Sequence, residues 1–286
     1  MTTERAYNGR IIDVQPDAYH ALPGLSSSIA TTVVSRSPLH GWSQHGAYGA
    51  RSRTPTKYMD RGSIVHALVL GKGKDIAVLD FDSYKTNAAK AARDEARALN
   101  RTPILSEDYG EALMLSVVIK SKLEARGLIL NGQSEVAIEW TEDSDYGPVP
   151  CRGMLDHVFL DTGRIVDLKV VTNAAPSKVE RSSEDYGYAI QACAYQRALR
   201  ALDPSLAGRT EFIFAFCEPE EPFAINLSRP CGAFEHIGER RWLRAVNAWG
   251  KCIRDNHWPA YGDDINFVSP PQWALARDAQ EDELTP

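Results

Sequence analysis

Gly153-Met-Leu-Asp156-His-Val-Phe-Leu-Asp161-Thr-Gly163-Arg-Ile-Val-Asp167-Leu-Lys169-Val-Val171 is the stretch from which the rest of the chain can be read. Asp161-Thr162-Gly163 is turn chemistry between two apolar runs, which predicts two short strands joined as a hairpin. Each strand carries one carboxylate in an apolar setting, Asp156 on the first and Asp167 on the second. Lys169 follows Asp167 by two residues, so the period of a strand puts both side chains on one face. Pairing of the strands would set Asp156 beside Asp167. Two carboxylates and an ammonium are costly to gather at the edge of a core unless something cationic binds among them. A divalent metal answers that need and leaves the lysine to hold an anionic substrate or a water. Alone, Asp-x-Lys on a strand is most often a solvated face, so the weight falls on what surrounds it.

The 286 residues are enough to bury a substantial core, and 43% hydrophobic with 24% charged residues is the balance of an ordinary soluble protein. No apolar run approaches a bilayer span, and the opening Met-Thr-Thr-Glu-Arg lacks an apolar signal core. The expected location is the cytoplasm, with no membrane partner. Cys151, Cys193, Cys217, Cys231 and Cys252 are scattered without a Cys-x-x-Cys pair, which argues against a zinc knuckle and predicts reduced, mostly buried thiols. The net charge of −6 is unevenly spread. Residues 1–103 hold 14 Lys/Arg against 9 Asp/Glu, so the global value neither supports nor excludes a nucleic-acid partner.

Outward from the hairpin, Glu135 to Trp140 alternates as a strand, with Glu135, Ala137 and Glu139 on one face. Before it lie helices at Ile29–Val34 (capped by the Ser26-Ser27-Ser28 run), Leu39–Gly46, Arg61–Leu70 around His66, Lys85–Asn100, and from Ser106 to a stop at Gly127. A lone histidine on an apolar helix such as His66 is more often a core residue than a ligand. After the hairpin, 172–183 reads as a loop around Pro176. A helix over Glu184–Ala201 follows, with Tyr188, Gln191, Tyr195 and Leu199 along one side. Glu211–Phe216 and Phe223–Leu227 read as paired strands, and Phe234–Arg254 as the last long helix, with Arg240, Arg244 and Lys251 on a solvated face. The expected organisation is an N-terminal arm (1–18) in which Ile11–Val14 can form a short strand, one domain over 19–260, and a Pro-rich acidic tail over 261–286 without fixed structure.

Taken in order, His66 on a helix, Glu135 on a strand, Asp156, Asp167 and Lys169 on the hairpin, then Gln191-Ala-Cys-Ala-Tyr195, form a helix–three strands–helix–strand series. That series resembles the RecB-type branch of the PD-(D/E)XK nucleases. The nearer resemblance, over roughly residues 19–200, is to RecE-type (exodeoxyribonuclease VIII-like) phage exonucleases. It adds Tyr19-His20-Ala-Leu-Pro-Gly-Leu-Ser-Ser-Ser28, Gly62-Ser-Ile-Val-His66-Ala-Leu and Cys151-Arg-Gly-Met-Leu-Asp156. It implies an α/β fold with a restriction-endonuclease-like core: a central mixed β-sheet flanked by helices, with an N-terminal helical elaboration.

The resemblance implies that Asp156 and Asp167 bind the catalytic ions, with the Leu168 carbonyl and His66 as further ligands. Lys169 would orient or help deprotonate water and stabilise charge on the phosphate. Glu135 matches an acidic position of the preceding strand, though Glu139 shares its face. Gln191 and Tyr195 would bind DNA or brace the site, and Arg51, Arg53 and Arg61 in a basic loop are candidate phosphate contacts. The sequence departs from the common pattern at Val170-Val171-Thr172 and at Met154-Leu155, neither of which removes a proposed ligand. Cysteine spacing for an iron–sulfur cluster is absent.

The expected activity is 5′→3′ exonucleolytic hydrolysis of double-stranded DNA ends, yielding single strands for an annealing partner in phage-type recombination. Mg²⁺ is the expected ion, Mn²⁺ a substitute, and a ring-like homo-oligomer is implied. The alternatives are a DNA-binding protein on a decayed nuclease fold and an endonuclease trimming ends or flaps. Hydrolysis of a phosphodiester needs activated water and a stabilised leaving alkoxide, and hard oxygen ligands holding Mg²⁺ or Mn²⁺ can supply both.

Overall fold

A computed structural model describes residues 8–14, 16–49, 57–262, 265 and 267–284. Arg51 and Arg53 lie outside the described residues. The chain begins with strand β1 (Arg10–Ile12) and helices α1 (Pro16–His20), α2 (Ser27–Ser35) and α3 (Pro38–Gln44). Ser26 caps α2 by accepting from the Ile29 N–H, and Ser37 caps α3 by accepting from His40, with Pro38 in the first turn, where its missing N–H costs nothing. Then come α4 (Lys57–Leu70), β2 (Ile76–Leu79), α5 (Asn87–Ala98), β3 (Thr102–Leu105) and α6 (Ser106–Glu124). The hairpin region is β4 (Gln133–Ser144), β5 (Gly147–Phe159) and β6 (Arg164–Val170). Helices α7 (Pro176–Asp185) and α8 (Tyr188–Leu202), strands β7 (Glu211–Cys217) and β8 (Ile225–Ser228), and helices α9 (Gly232–Asp255) and α10 (Gln272–Leu284) complete it.

The central sheet has the order β1-β4-β5-β6-β7-β8 and is mixed, since β6 and β7 run parallel while the other pairs are antiparallel. One face packs on α2, α8 and α9, where Ile138, Trp140, Leu155, Ile165, Phe212, Phe214 and Phe216 meet Trp242 and Trp249. The other face packs on α4 and α6 through Val166, Leu168, Ile213, Ala215 and Cys217 against Ile64, Val65, Leu115 and Ile119. This is the expected mixed sheet flanked by helices. Cys151, Cys193, Cys217 and Cys252 are buried free thiols, whereas Cys231 is exposed.

Four local expectations change. Residues 172–183 do not stay a loop. Pro176 occupies the first turn of α7, and Val179 and Ser183, one helical turn apart, are buried. The helix expected from Glu184 instead breaks at Gly187 and restarts at Tyr188. Gly187 is left-handed (φ +69°), and a Cβ there would stand 2.5 Å from the Thr31 side chain of α2. A small second sheet, β2 paired in parallel with β3, stands between α4 and α6. Each of its strands has four residues, and Pro103, expected only to break a helix, sits within β3, where a two-stranded sheet leaves an edge that needs no N–H. Arg10–Ile12 of the N-terminal arm pairs with β4, and Gln272–Leu284 in the acidic tail is helical.

Candidate metal and catalytic centre

The hairpin is splayed. Strands β5 and β6 pair only through His157↔Val166, Val158↔Ile165 and Phe159↔Arg164, and beyond those three pairs they separate. In the gap a side chain replaces the backbone ladder, as the Leu168 N–H donates to Asp156 Oδ2 at 2.9 Å. Above the split, β5 is joined instead by the chain at Leu25, through a parallel bridge to Cys151. The split coincides with a break in alternation. Leu155 and Val158, three residues apart, both feed the larger core, and Glu135 (the residue of β4 opposite Asp156) has φ +51°. A regular strand would have kept Leu155 and His157 on one face. The break frees Glu135 and Asp156 to face helix α4.

His66, in the middle of α4, stands between them. Its Nδ1 is 3.1 Å from Glu135 Oε1 and its Nε2 is 2.9 Å from Asp156 Oδ2. Carboxylates only accept, so both ring nitrogens must donate and the ring is an imidazolium. Burial pushes the His66 pKa down, but Asp156 and Glu135 outweigh it and hold it up at about 10. Burial likewise pushes Asp156 up, and His66 outweighs it, so its carboxyl lies below the usual range. One ligand atom from each of His66, Glu135 and Asp156 lies within 4.8 Å of the others. A cationic ring balances this acidic pair here, which is the balance that a divalent ion would provide. The donor set fits a hard cation: two carboxylates, an imidazole and, facing the same cleft, the Leu168 carbonyl, which a strand turns to the same side as its N–H.

Asp167 stands next to this group rather than in it. It is fully buried, with Oδ1 accepting from Gln191 Nε2 at 2.7 Å and Oδ2 in contact with the Lys169 ammonium. Burial raises its pKa, with Lys169 only partly offsetting. Burial pushes Lys169 down, but Asp167 and Asp156 outweigh it and keep the ammonium protonated. Tyr195 follows one turn on along α8. Tyr195 is buried, and its ring passes Gly153, where a Cβ would stand 3.1 Å from it. Gln191 thus ties α8 to the lysine strand, while Tyr195 packs beside β5 and β7.

The cleft in front of the carboxylates has a volume of about 770 Å³. Its floor is His66, Glu135, Asp156, Leu168 and Lys169; the β2–β3 unit supplies another wall with Lys74, Arg101 and Thr102. Arg61 does not line it. Its guanidinium pairs with Glu111 at 3.1 Å. Glu139 serves the sheet margin, paired with Arg10 at 2.8 Å, which separates it from Glu135. Sequence reasoning missed Tyr188, whose ring centroid lies 5.2 Å from Lys169 Nζ, and the lobe carrying Lys74 and Arg101. Tyr188 had a signal: it opens the helix that bears Gln191. The lobe's residues carried none beyond ordinary surface charge.

The family described as PDDEXK-like domain of unknown function (DUF3799) matches residues 37–270. The chain belongs to that family. Among solved structures, a provisionally named exonuclease from Eubacterium rectale superposes with a TM-score of 0.60 at 13% identity, covering 93% of this chain and 98% of its own. That likeness is one of fold. A phage-related exonuclease from Haemophilus somnus 129PT gives a TM-score of 0.34 at 10% identity, covering 84% of this chain and 99% of its own, too low to support an argument. No curated protein matches the chain. Among the described residues no helix is long and apolar enough to cross a membrane.

Proposed function

We propose that this PDDEXK-like chain is a divalent-metal-dependent exodeoxyribonuclease that degrades linear duplex DNA 5′→3′ and leaves single strands for phage-type recombination. The observation that supports it is the gathering of His66, Glu135 and Asp156 within 4.8 Å beside the Asp167–Lys169 pair. Mg²⁺ is the expected ion, with Mn²⁺ able to replace it. When bound, such an ion supplies positive charge against the scissile phosphate and acidifies the attacking water.

The chain's own residues do the rest. Lys169, held protonated, donates to the water or to a phosphate oxygen and steadies the charge that develops there. Asp167 fixes the direction of that ammonium, and Gln191 fixes Asp167. Asp156 Oδ2 accepts from the Leu168 N–H and also meets His66 Nε2, so the backbone tie holds this carboxylate against the imidazole at the cleft. Lys74 and Arg101 stand on the cleft wall, where the DNA backbone would run. The description of the Eubacterium rectale neighbour as an exonuclease accords with this reading; a ring-like homo-oligomer and a single-strand annealing partner belong to the proposal.

The test is digestion of linear duplex DNA labelled at either end, in Mg²⁺, Mn²⁺ or EDTA, with closed circular plasmid alongside. Metal-dependent loss of the 5′ label first, circular DNA intact, and no digestion by Lys169→Ala or Asp156→Asn is the expected result. Cutting of the closed circle would replace the exonuclease by an endonuclease. Intact DNA throughout, with folded protein, would leave a binding protein on a nuclease fold.

A further inference from the structure

Between α7 and α8 the sequence Tyr186-Gly187-Tyr188 sets two aromatic rings one above the other, with centroids 5.8 Å apart and planes at 28°. The inner ring, Tyr188, is half-buried and leans on Phe214 and Phe216 of β7, at 5.5 and 6.0 Å. Its other neighbour is Lys169. The outer ring, Tyr186, is 68% exposed. Exposure of this kind usually accompanies mobility, but here the backbone is pinned on both sides. The Tyr186 N–H bonds Ser182 O at 2.9 Å, and left-handed Gly187 is pressed against Thr31 of α2.

The two rings and Gln191 line a second hollow of about 240 Å³, walled opposite by Ser27, Ser28 and Thr31. His20 lines both this hollow and the main cleft, so the two adjoin at that residue, and Tyr188 of the hollow stands over Lys169 of the cleft. A solvent-facing π-surface on a pinned backbone, over hydroxyl-bearing walls and next to the proposed phosphodiester site, suits an unpaired nucleobase. Aromatic faces stack with any base, without reading sequence.

We propose that Tyr186, backed by Tyr188, is a stacking platform for one unpaired base of the strand threaded past Lys169, so that the centre engages single-stranded rather than paired nucleotides. Duplex ends would have to open before the terminal strand reaches the carboxylates. The proposal rests on the nuclease reading for its direction of travel, but the platform itself is tested by binding.

The experiment measures binding of a short fluorescent oligothymidylate to the full chain in EDTA, beside the same oligonucleotide with abasic sites. Wild-type protein is expected to prefer the intact strand by about tenfold, the order that one base–aromatic stack supplies. Tyr186→Ala should erase that preference, Tyr186→Trp should restore it, and all three proteins should share one thermal unfolding midpoint. Equal binding of intact and abasic strands by wild type, or a preference unchanged in Tyr186→Ala, would overturn the platform. Digestion of linear duplex DNA by the same preparations in Mg²⁺ separates the two readings. Base-dependent binding without digestion keeps the platform and removes the nuclease, whereas digestion with base-independent binding does the reverse.

Discussion

Gln191 on α8 reaches the β6 carboxylate of Asp167 with a hydrogen bond of 2.7 Å, and that carboxylate has no exposure of its own. A donor to the charged form lowers a carboxyl pKa, so Gln191 works against the burial that raises Asp167. Gln191→Ala should lower kcat on linear duplex DNA about 10- to 100-fold, the usual cost of losing a support of this kind. The acid limb of the pH–rate profile should also move to higher pH, because Asp167 would hold its proton longer. A uniform loss with an unmoved limb would argue that Gln191 merely touches DNA.

Metal binding should release a proton from His66. In the metal-free protein that ring is held up at about 10, well above its ordinary 6.5. The stability it contributes is therefore fully present below about pH 6.5 and is lost as pH rises through about 10. A ligand ring must give up the proton on its ligating nitrogen, so Mn²⁺ affinity should climb across the same window. Calorimetry in buffers of different ionisation enthalpy would show the proton, and His66→Gln should flatten the pH dependence. Affinity independent of pH in the wild type would remove His66 from the ligand set.

Away from the cleft, one buried carboxylate holds three elements together. Glu142 accepts from Trp140 Nε1 at 2.8 Å, from Trp242 Nε1 at 3.2 Å and from the guanidinium of Arg197. Burial pushes its pKa up and Arg197 outweighs it, leaving the pKa lowered. Its contribution is thus present above the ordinary carboxylate range and lost as pH falls through the depressed value. Glu142→Ala leaves two buried indoles without their acceptor and takes from the half-buried Arg197 guanidinium one of its two carboxylates, the other being Glu239, and should cost about 1–3 kcal/mol in urea unfolding. Glu142→Gln keeps an acceptor for the indoles and should cost less.

Gly187 sets the register between the lysine strand's support and α2. Gly187→Ala would meet both a left-handed backbone and the Thr31 side chain 2.5 Å away, and should destabilise by more than the ~1–2 kcal/mol of the backbone alone. Thr31→Ala in the same chain should recover part of the steric cost, since its Cβ would still stand 3.1 Å away, and none of the backbone cost. Full recovery would show that the backbone carries no strain.

The hairpin and the positions of Asp156, Asp167 and Lys169 were legible because turn chemistry and a two-residue period are local signals. His66 entered the candidate set through resemblance, since on its own pattern it reads as a core histidine. The sequence could not convey that Glu135 reaches the same ring by a positive φ, because alternation predicts a regular strand and the break depends on the split between β5 and β6. Nor could spacing tell that Asp167 would turn to Gln191 and Lys169 while Asp156 turned to His66. Helix α7 was hidden by Pro176, read as a loop marker when it serves as a first-turn residue. The β2–β3 unit was hidden because four-residue strands are shorter than any pattern that distinguishes them from coil.

The parting of β5 and β6 after three pairs has one more consequence. The slot that opens on the cleft is made by two diverging main chains, and its gauge is set by the backbone and by the Leu168–Asp156 tie. Substitutions along its walls can therefore change the lining, and with it the preference among strands, without changing the width of the passage.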